Sequence, residues 1–300
     1  MRGKKTRGVL PVFYKTSSQI NWLLIIVFIS FNATAANQVR QLPEKGKFSI
    51  TPELGTFYDR EGKLVDGDAT VGVVGSSGLP QIGGIVVSPG LTAKAEDQGF
   101  DDAFDTPVIV GLTVNYGLSS SSEVFVRLQY TQASADTFDL LTFRTASFIT
   151  TGPVNGDPPA FAPIPVAIGD VVEAEFDDYE EYGIDLGYRH FFSTGNHFKP
   201  FVSISGGVRI VDALDLEYIA PTGASIGKGR FYNDSTVLSA GLGVGFRYEM
   251  SPTVAVGLET GVNYQGQLDD EDLGGGGLDD LNDGGRRWQI PLYLGVNIQL

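Results

Sequence analysis

The chain has 300 residues, of which 21 are Lys or Arg and 36 are Asp or Glu, so its formal net charge at pH 7 is −15. It contains no cysteine, which excludes a disulfide-stapled secreted domain and a lipoprotein anchored through a cysteine. The 39 glycines argue against a helical protein and favour short strands joined by turns.

The first 35 residues have the organisation of a secretory signal peptide. An apolar run from Trp22 to Phe31 follows a basic leader, whose charges are Arg2, Lys4, Lys5, Arg7 and Lys15. The run is shorter than the about 20 apolar residues that a membrane-spanning helix needs. Ala33-Thr34-Ala35 has the A-x-A form of a cleavage site, so we predict cleavage after Ala35. Removal of residues 1–35 would change the formal net charge from −15 to −20. Residues 36–47 are then expected to form a short periplasmic segment before the first strand.

Eight later segments of about ten residues alternate between apolar and polar side chains, which is the pattern of strands with one face in an apolar environment. In the last of them, every second residue from Ile290 to Leu300 is apolar. The predicted strands run from Phe48 to Tyr58, Val108 to Tyr116, Val124 to Thr131, Glu181 to Arg189, Val202 to Ile210, Leu238 to Tyr248, Val254 to Tyr264 and Ile290 to Leu300.

The connections between these segments are sorted by length. Three are short (117–122, 193–199 and 249–252), and four are long (59–106, 132–180, 212–235 and 266–287). Short turns at one end and long loops at the other are typical of outer-membrane barrels, whereas a β-sandwich has no reason to sort its loops. The long connections contain 29 acidic and 8 basic residues, a net charge of −21, so they hold the whole negative balance of the chain.

These patterns predict an all-β protein over residues 48–300. The predicted fold is a transmembrane, eight-stranded, antiparallel up-and-down β-barrel with four long extracellular loops, preceded by a cleaved signal peptide. The predicted location is the cell outer membrane of a Gram-negative bacterium.

The same residues, 48–300, resemble the small eight-stranded outer-membrane barrels of the OmpA and OmpX type. The ending Tyr293-x-Gly295-x-x-Ile298-x-Leu300 is similar to the C-terminal pattern that the barrel-assembly machinery reads in this family, with Leu300 where Phe is usual. The resemblance is to the barrel domain alone, without the periplasmic peptidoglycan-binding domain. It implies contact with outer-membrane lipid and lipopolysaccharide, and insertion by the assembly machinery.

The charges within the predicted strands all lie on the polar face. They are Glu53, Glu181, Asp185 and Glu259, with Arg127, Arg189, Arg209 and Arg247. Because eight strands enclose a lumen only wide enough for side chains, we predict a cross-lumen charge network. Its three layers run from the periplasmic rim (Arg127, Arg189, Arg247) through mid-height (Glu53, Asp185, Glu259) to the outside (Arg209, Glu181).

Inward-facing glycines leave space in this lumen beside aromatic rings, which are Phe57, Phe125, Phe191 and Tyr293. The simpler interpretation is that the rings pack over bare glycine backbone. A narrow water path or a small-ligand cavity remains an alternative.

Catalysis is not predicted. The two histidines, His190 and His197, fall at the periplasmic rim, and no nucleophile motif is present. A lipid-modifying enzyme is the rival hypothesis from a different class.

Two loop features suggest weaker hypotheses. Residues 274–281 fit one copy of a glycine-rich calcium repeat, and nearby carboxylates offer oxygen ligands: Asp269, Asp270, Asp272, Asp279, Asp280 and Asp283. A single copy favours a solvated acidic loop, so we expect no cofactor and only weak Ca²⁺ or Mg²⁺ binding. Residues 138–149 and 164–176 flank a Gly/Pro-rich tip, which suggests a β-ribbon above the membrane with an edge open to partners.

The function that the sequence favours is non-enzymatic. The chain is read as a monomeric barrel with a structural or adhesin-like role, exercised through its acidic extracellular loops. The alternatives are a narrow pore or small-ligand conduit and, after that, a lipid-modifying outer-membrane enzyme. No nucleic-acid partner is expected.

Overall fold

A computed structural model describes residues 43–67, 70–72, 81–82, 85–87, 92–143, 147–151, 164–192, 197–271, 281–282 and 284–300. The expected signal peptide and the whole of the glycine-rich segment 272–280 lie outside these residues. Within the described ranges, no helix has both the length and the hydropathy needed to cross a bilayer.

The elements, in chain order, are the strands β1 (Phe48–Glu61), β2 (Thr70–Gly72), β3 (Gln81–Ile82), β4 (Ile85–Val87) and β5 (Thr92–Ala95), the helical turn α1 (Phe100–Ala103), and the strands β6 (Val108–Ser119), β7 (Ser122–Ala133), β8 (Thr137–Phe143), β9 (Ser147–Thr151), β10 (Ile164–Val166), β11 (Val171–Phe176), β12 (Tyr179–Phe191), β13 (Phe198–Val211), β14 (Leu214–Ile219), β15 (Ser225–Tyr232), β16 (Ser235–Ser251), β17 (Val254–Gln265) and β18 (Arg287–Gln299).

Eight of these strands form a closed antiparallel barrel in the order β1-β18-β17-β16-β13-β12-β7-β6. The first strand pairs with both β18 and β6, so the sheet has no free edge. The predicted eight-stranded barrel is confirmed, and each barrel strand coincides with one predicted segment. Several strands are longer than predicted, because backbone pairing continues past the point where the apolar alternation fades; β16, for example, starts at Ser235 and ends at Ser251.

The barrel is apolar outside and polar inside. Outward side chains such as Leu186, Leu238 and Leu242 are 66%, 74% and 65% exposed, whereas inward Arg127 and Asp185 are each 4% exposed. A soluble barrel would have the opposite arrangement, so this exterior requires lipid. Aromatic pairs lie at both ends of the apolar belt, as in the girdles of membrane barrels: Phe48 with Tyr116, and Tyr264 with Trp288.

The long connections fold into structure of their own. Strands β8 and β11 extend the β7–β12 pair beyond the membrane, and β14 and β15 extend the β13–β16 pair. They join β5 and β2 in a six-stranded sheet of order β15-β14-β11-β8-β5-β2. A second sheet has the order β10-β9-β4-β3. The six-stranded sheet, together with the apolar core beneath it, is called the dome below.

The dome's apolar core continues into the mouth of the barrel. Buried residues of the dome strands, including Phe138, Leu216 and Tyr218, belong to one cluster with Phe57 and Tyr179 of the barrel strands. The side chains of β8, β11 and β14 alternate, so each of these three strands has an inner apolar face and an outer polar face.

The expected β-ribbon is present, because β8 pairs with β11 and β9 pairs with β10. The expectation of an open edge along it is wrong for β8 and β11. Strand β11 is covered by β14 and β8 by β5, so strands from the first and third long connections occupy both sides. Covering these edges removes the unpaired N–H and C=O groups that would recruit another chain.

We expect the protein to be heat-modifiable in detergent. Because the barrel strands are all paired in a closed sheet, unboiled protein should migrate in gel electrophoresis as a compact form that boiling shifts. Identical migration before and after boiling would contradict a closed barrel.

Candidate functional site

The lumen of the barrel is filled by an ion-pair network centred on Glu259 of β17. Its carboxylate accepts hydrogen bonds from Arg127 Nη2 at 2.7 Å, Arg189 Nη2 at 2.8 Å and Ser203 Oγ at 2.6 Å. Arg127 also donates to Glu53 Oε2 at 2.8 Å. These side chains come from five different strands, so the network ties the barrel together across its centre.

Toward the periplasmic end, Glu123 is the second hub of the network. Its carboxylate accepts from Arg189 at 2.5 Å and from Arg247 at 2.8 and 3.0 Å. Arg189 thereby bridges Glu123 and Glu259, and it also donates to Asn115 at 3.3 Å. The rings of Phe125, Phe191 and Phe201 lie against these guanidinium groups.

Toward the outside, Arg209 forms the third hub. It donates to both oxygens of Asp185 at 2.8 Å, which is the bidentate geometry that makes such pairs strong, and lies 3.3 Å from Glu181. Glu181 in turn accepts from Gln265 at 2.9 Å and Arg287 at 3.2 Å. The structure therefore brings all eight predicted lumen charges into ion pairs with one another or with the two residues described next.

Two members of the network, Glu123 and Arg287, were missed from the sequence. The predicted strands started at Val124 and Ile290, whereas the observed strands start at Ser122 and Arg287. Both residues continue the inward alternation, Glu123 with Arg127 and Arg287 with Gln289. Extending the period of two upstream by one residue before Val124 and by three before Ile290 would have placed both in the lumen.

An aromatic seal closes the outer end of the lumen above these charges. The helical turn α1, from the first long connection, places Phe100 over Arg287, with the guanidinium carbon 4.5 Å from the ring centroid. Arg287 also lies 4.7 Å from the ring of Tyr179, donates to its hydroxyl, and reaches Phe57 at 5.7 Å. Phe100 is 4% exposed and Phe104 is 3% exposed. Apolar rings and a cation–π stack thus separate the charged lumen from the extracellular side.

The space left in the lumen is small. Two cavities among the network residues have volumes of about 30 and 20 Å³. A water molecule needs about 10 to 15 Å³ by this measure, so each cavity holds one or two waters. Aromatic rings occupy the space beside inward glycines, as the simpler interpretation predicted. A Cβ at Gly187 would collide with Phe125, and one at Gly55 would collide with Tyr293.

The residues of the C-terminal pattern divide between the two faces of β18. Tyr293 is buried in the lumen under Arg127, whose guanidinium carbon is 4.3 Å from the ring centroid, and Gly295 packs against Thr51. Ile298 pairs with Ile50 and Val254, and Leu300 is 70% exposed. How the assembly machinery reads this pattern stays a prediction.

The two histidines sit apart from the carboxylate network. His190 packs edge-on against Phe192, with ring centroids 5.4 Å apart, and His197 lies 6.3 Å from the ring of Tyr248. Both contacts are those of interfacial aromatic side chains.

Of the six candidate calcium ligands, Asp269 and Asp270 are described, and the other four lie outside the described residues. Both described aspartates are exposed and hydrogen-bond through their backbone: the Asp269 N–H donates to Ser235, and the Asp270 carbonyl accepts from Asn233. In the part of the chain that the structure covers, no three His, Asp or Glu side chains converge as metal ligands would.

We expect Ca²⁺ or Mg²⁺ to bind this acidic loop only weakly, with dissociation constants of about 10⁻⁴ to 10⁻³ M or higher, because a glycine-rich loop must be ordered on binding. Calorimetry should compare the intact protein with a variant whose residues 269–283 are replaced by a neutral linker. Micromolar binding that the replacement abolishes would show instead a specific calcium site.

Comparison with known proteins was made for sequence and for structure. The sequence matches no protein-family model and no curated protein. Solved structures that match include Neisserial surface protein A (12% identity, TM-score 0.38, covering 84% of this chain and 97% of that one). They also include the attachment invasion locus protein Ail of Yersinia pestis (11%, 0.36, 85% and 99%) and the outer membrane protein OprG of Pseudomonas aeruginosa (11%, 0.37, 87% and 99%).

With TM-scores below 0.5, these matches carry no argument, and the fold is established by the strand pairing. A closed eight-stranded barrel with a lipid-facing exterior and a charge-filled lumen defines the class of the protein. It is a small outer-membrane β-barrel.

Proposed function

We propose that this protein is a non-enzymatic outer-membrane barrel that holds a folded, acidic dome at the cell surface for structural or adhesin-like contacts. The observation that carries the proposal is the apolar core that joins the dome to the barrel mouth. Such a core joins the described parts of the long connections to the barrel strands as one folded body above the lumen.

The outer face of the dome is acidic across neighbouring strands. Asp139 of β8 lies directly opposite Glu173 of β11, and Glu175 of β11 lies opposite Glu217 of β14. Like charges at directly opposed positions destabilise a sheet. Lys228 of β15 lies opposite Glu217 and offsets part of this repulsion, and a basic partner that engages the face would offset the rest.

The acidic face is tested by neutralising it. A variant carrying Asp139→Asn, Glu173→Gln, Glu175→Gln and Glu217→Gln should bind an oligolysine peptide more weakly than the parent protein in nanodiscs, with a reduced salt dependence. The same variant should unfold at a higher denaturant concentration, because two like-charge pairs are relieved.

A matched control removes four exposed carboxylates elsewhere, at Asp101, Asp105, Asp212 and Asp270, and so changes the net charge equally. If both variants lose binding equally, total charge is responsible and the face is not a binding surface. If the dome variant gains stability without losing binding, the acidic row has no role in contact.

The filled lumen supports a barrel that is not a general diffusion pore. Three ion pairs from four strands, with Ser203 from a fifth, fill its centre, and the seal of Phe57, Phe100 and Tyr179 covers its outer end. We therefore expect purified protein in planar bilayers to show no discrete conductance steps above those of empty bilayers. Reproducible steps would favour the narrow pore or conduit. A mass change of lipid A on expression would favour the lipid-modifying enzyme.

A further inference from the structure

A cavity of about 280 Å³ opens on the outside of the barrel, where β1, β17 and β18 reach their extracellular ends. Its lining includes Lys63, Tyr264, Arg286 and Trp288. It is several times larger than either cavity of the lumen and takes no part in the charge network.

The aromatic wall of the cavity lies at the edge of the lipid-facing belt. Tyr264 and Trp288 are paired across β17 and β18, with ring centroids 5.0 Å apart, and Trp288 is 45% exposed. On the same face of β18, Leu292 and Leu294 follow toward the periplasm and are also exposed. Tyr and Trp at this position mark the level of the lipid headgroups. The cavity therefore faces the headgroups of the outer leaflet.

The charged part of the cavity lining consists of Arg286, Lys63 and Asp66. Arg286 is exposed and forms no ion pair with any side chain that the structure describes. By contrast, Lys94 and Lys228 each pair with a neighbouring carboxylate. Lys63 pairs with Asp97 at 3.0 Å and Asp66 at 3.1 Å, and the hydrogen bond to Asp97 raises the pKa of its ammonium group well above the usual value. A guanidinium that is not neutralised in this way is suited to bidentate binding of a phosphate.

The backbone of the cavity is held by close glycine packing. The N–H of Gly285 donates to the carbonyl of Lys63 at 2.6 Å, and Gly285 has a φ of 82°, which favours glycine. A Cβ at Gly284 would collide with the Lys63 carbonyl. The segments that carry Lys63 and Arg286 are thus fixed against each other, so the cavity is preformed.

Charge decides which anion can reach this cavity. The long connections around it carry a net charge of −21, which repels free anions. A lipid is held in the membrane plane at the height of the cavity, so its high local concentration offsets that repulsion. We propose that the cavity binds the phosphorylated sugar headgroup of an outer-leaflet glycolipid, with the phosphate on Arg286 and the sugar against Trp288. This site is independent of the lumen and of the dome's acidic face.

The test uses the full protein in nanodiscs of phosphatidylcholine that contain bisphosphorylated lipid A, with bound lipid counted by native mass spectrometry. Arg286→Ala should weaken lipid A binding by about tenfold or more, because a charge-assisted hydrogen bond is lost. The matched control, Arg230→Ala, removes the same charge from the dome, where Arg230 pairs with Asp215, and should leave lipid binding unchanged. An unaltered shift on boiling shows that both variants are folded.

Two further arms identify the ligand chemistry. Lipid A without its phosphates should bind the parent protein as weakly as intact lipid A binds the Arg286→Ala variant, and millimolar inorganic phosphate should not displace intact lipid A. Equal binding by the two variants, or by the two lipids, would overturn the proposal. Displacement by inorganic phosphate would overturn the assignment to a lipid.

Discussion

Replacing Glu259 with alanine is expected to lower the free energy of unfolding by about 3 kcal/mol or more. The substitution removes the shared acceptor of Arg127 and Arg189 and leaves two guanidinium groups in a lumen where both are at most 4% exposed. Replacing Arg189 with alanine is expected to have a similar effect, because Glu123 and Glu259 both lose a donor. The measurement is the urea or guanidinium midpoint, with its slope, for protein folded in lipid vesicles.

Asp215→Ala provides the control for this experiment. Asp215 and Arg230 also form a close ion pair, but their side chains are 30% and 43% exposed. Water and salt screen such a pair, so its loss should lower the free energy of unfolding by only about 0 to 1 kcal/mol. If Glu259→Ala and Arg189→Ala leave the midpoint unchanged, or shift it no more than Asp215→Ala does, the lumen network does not stabilise the barrel.

Replacing Phe176 with alanine is expected to unfold the dome without opening the barrel. Phe176 is 3% exposed, and its ring contacts Phe104, Phe138 and Phe231 at centroid distances of 5.7, 5.5 and 5.5 Å. Truncating a buried Phe costs about 3 to 5 kcal/mol. The barrel strands keep their pairing and their charge network, neither of which involves this ring.

Protease treatment of intact cells measures the first effect, and the shift on boiling measures the second. The variant should be cleaved within residues 134–178 under conditions in which the parent protein resists, while the shift remains. Ile168→Ala is the control, because Ile168 lies in a turn of the dome and is 71% exposed. Equal resistance of Phe176→Ala and the parent would contradict a cooperative dome core, and loss of the shift would show that dome and barrel fold as one unit.

The ion pairs of the lumen and those of the dome differ in how deeply they are buried. In the lumen, pairs such as Arg127 with Glu259 are buried and join strands β7 and β17 on different sides of the barrel. On the dome, Lys228 and Asp177 are about half exposed. We expect substitutions in the lumen to affect folding and those on the dome to affect solubility and contact.

The sequence by itself determined the barrel. An alternation with a period of two is local information, and it fixed which residues of each strand face lipid and which face the lumen. Residues such as Arg127 and Glu259 could be assigned to the lumen because both lie on the polar side of that alternation. The sorting of short and long connections then fixed which end of the barrel lies outside.

Only the tertiary structure decided the dome, its seal and the surface cavity. Phe100 and Phe104 lie in a connection without any hydrophobic period, so no local pattern marks them as a plug. The dome sheet joins β5, β8, β11 and β14, which come from three different connections, and such long-range pairing leaves no signal in either strand alone. Which groups contact Glu259, and the lack of an ion pair between Arg286 and any described side chain, depend in the same way on which strands become neighbours. The chemistry of a side chain limits what it can bind, but it does not indicate which residues lie beside it.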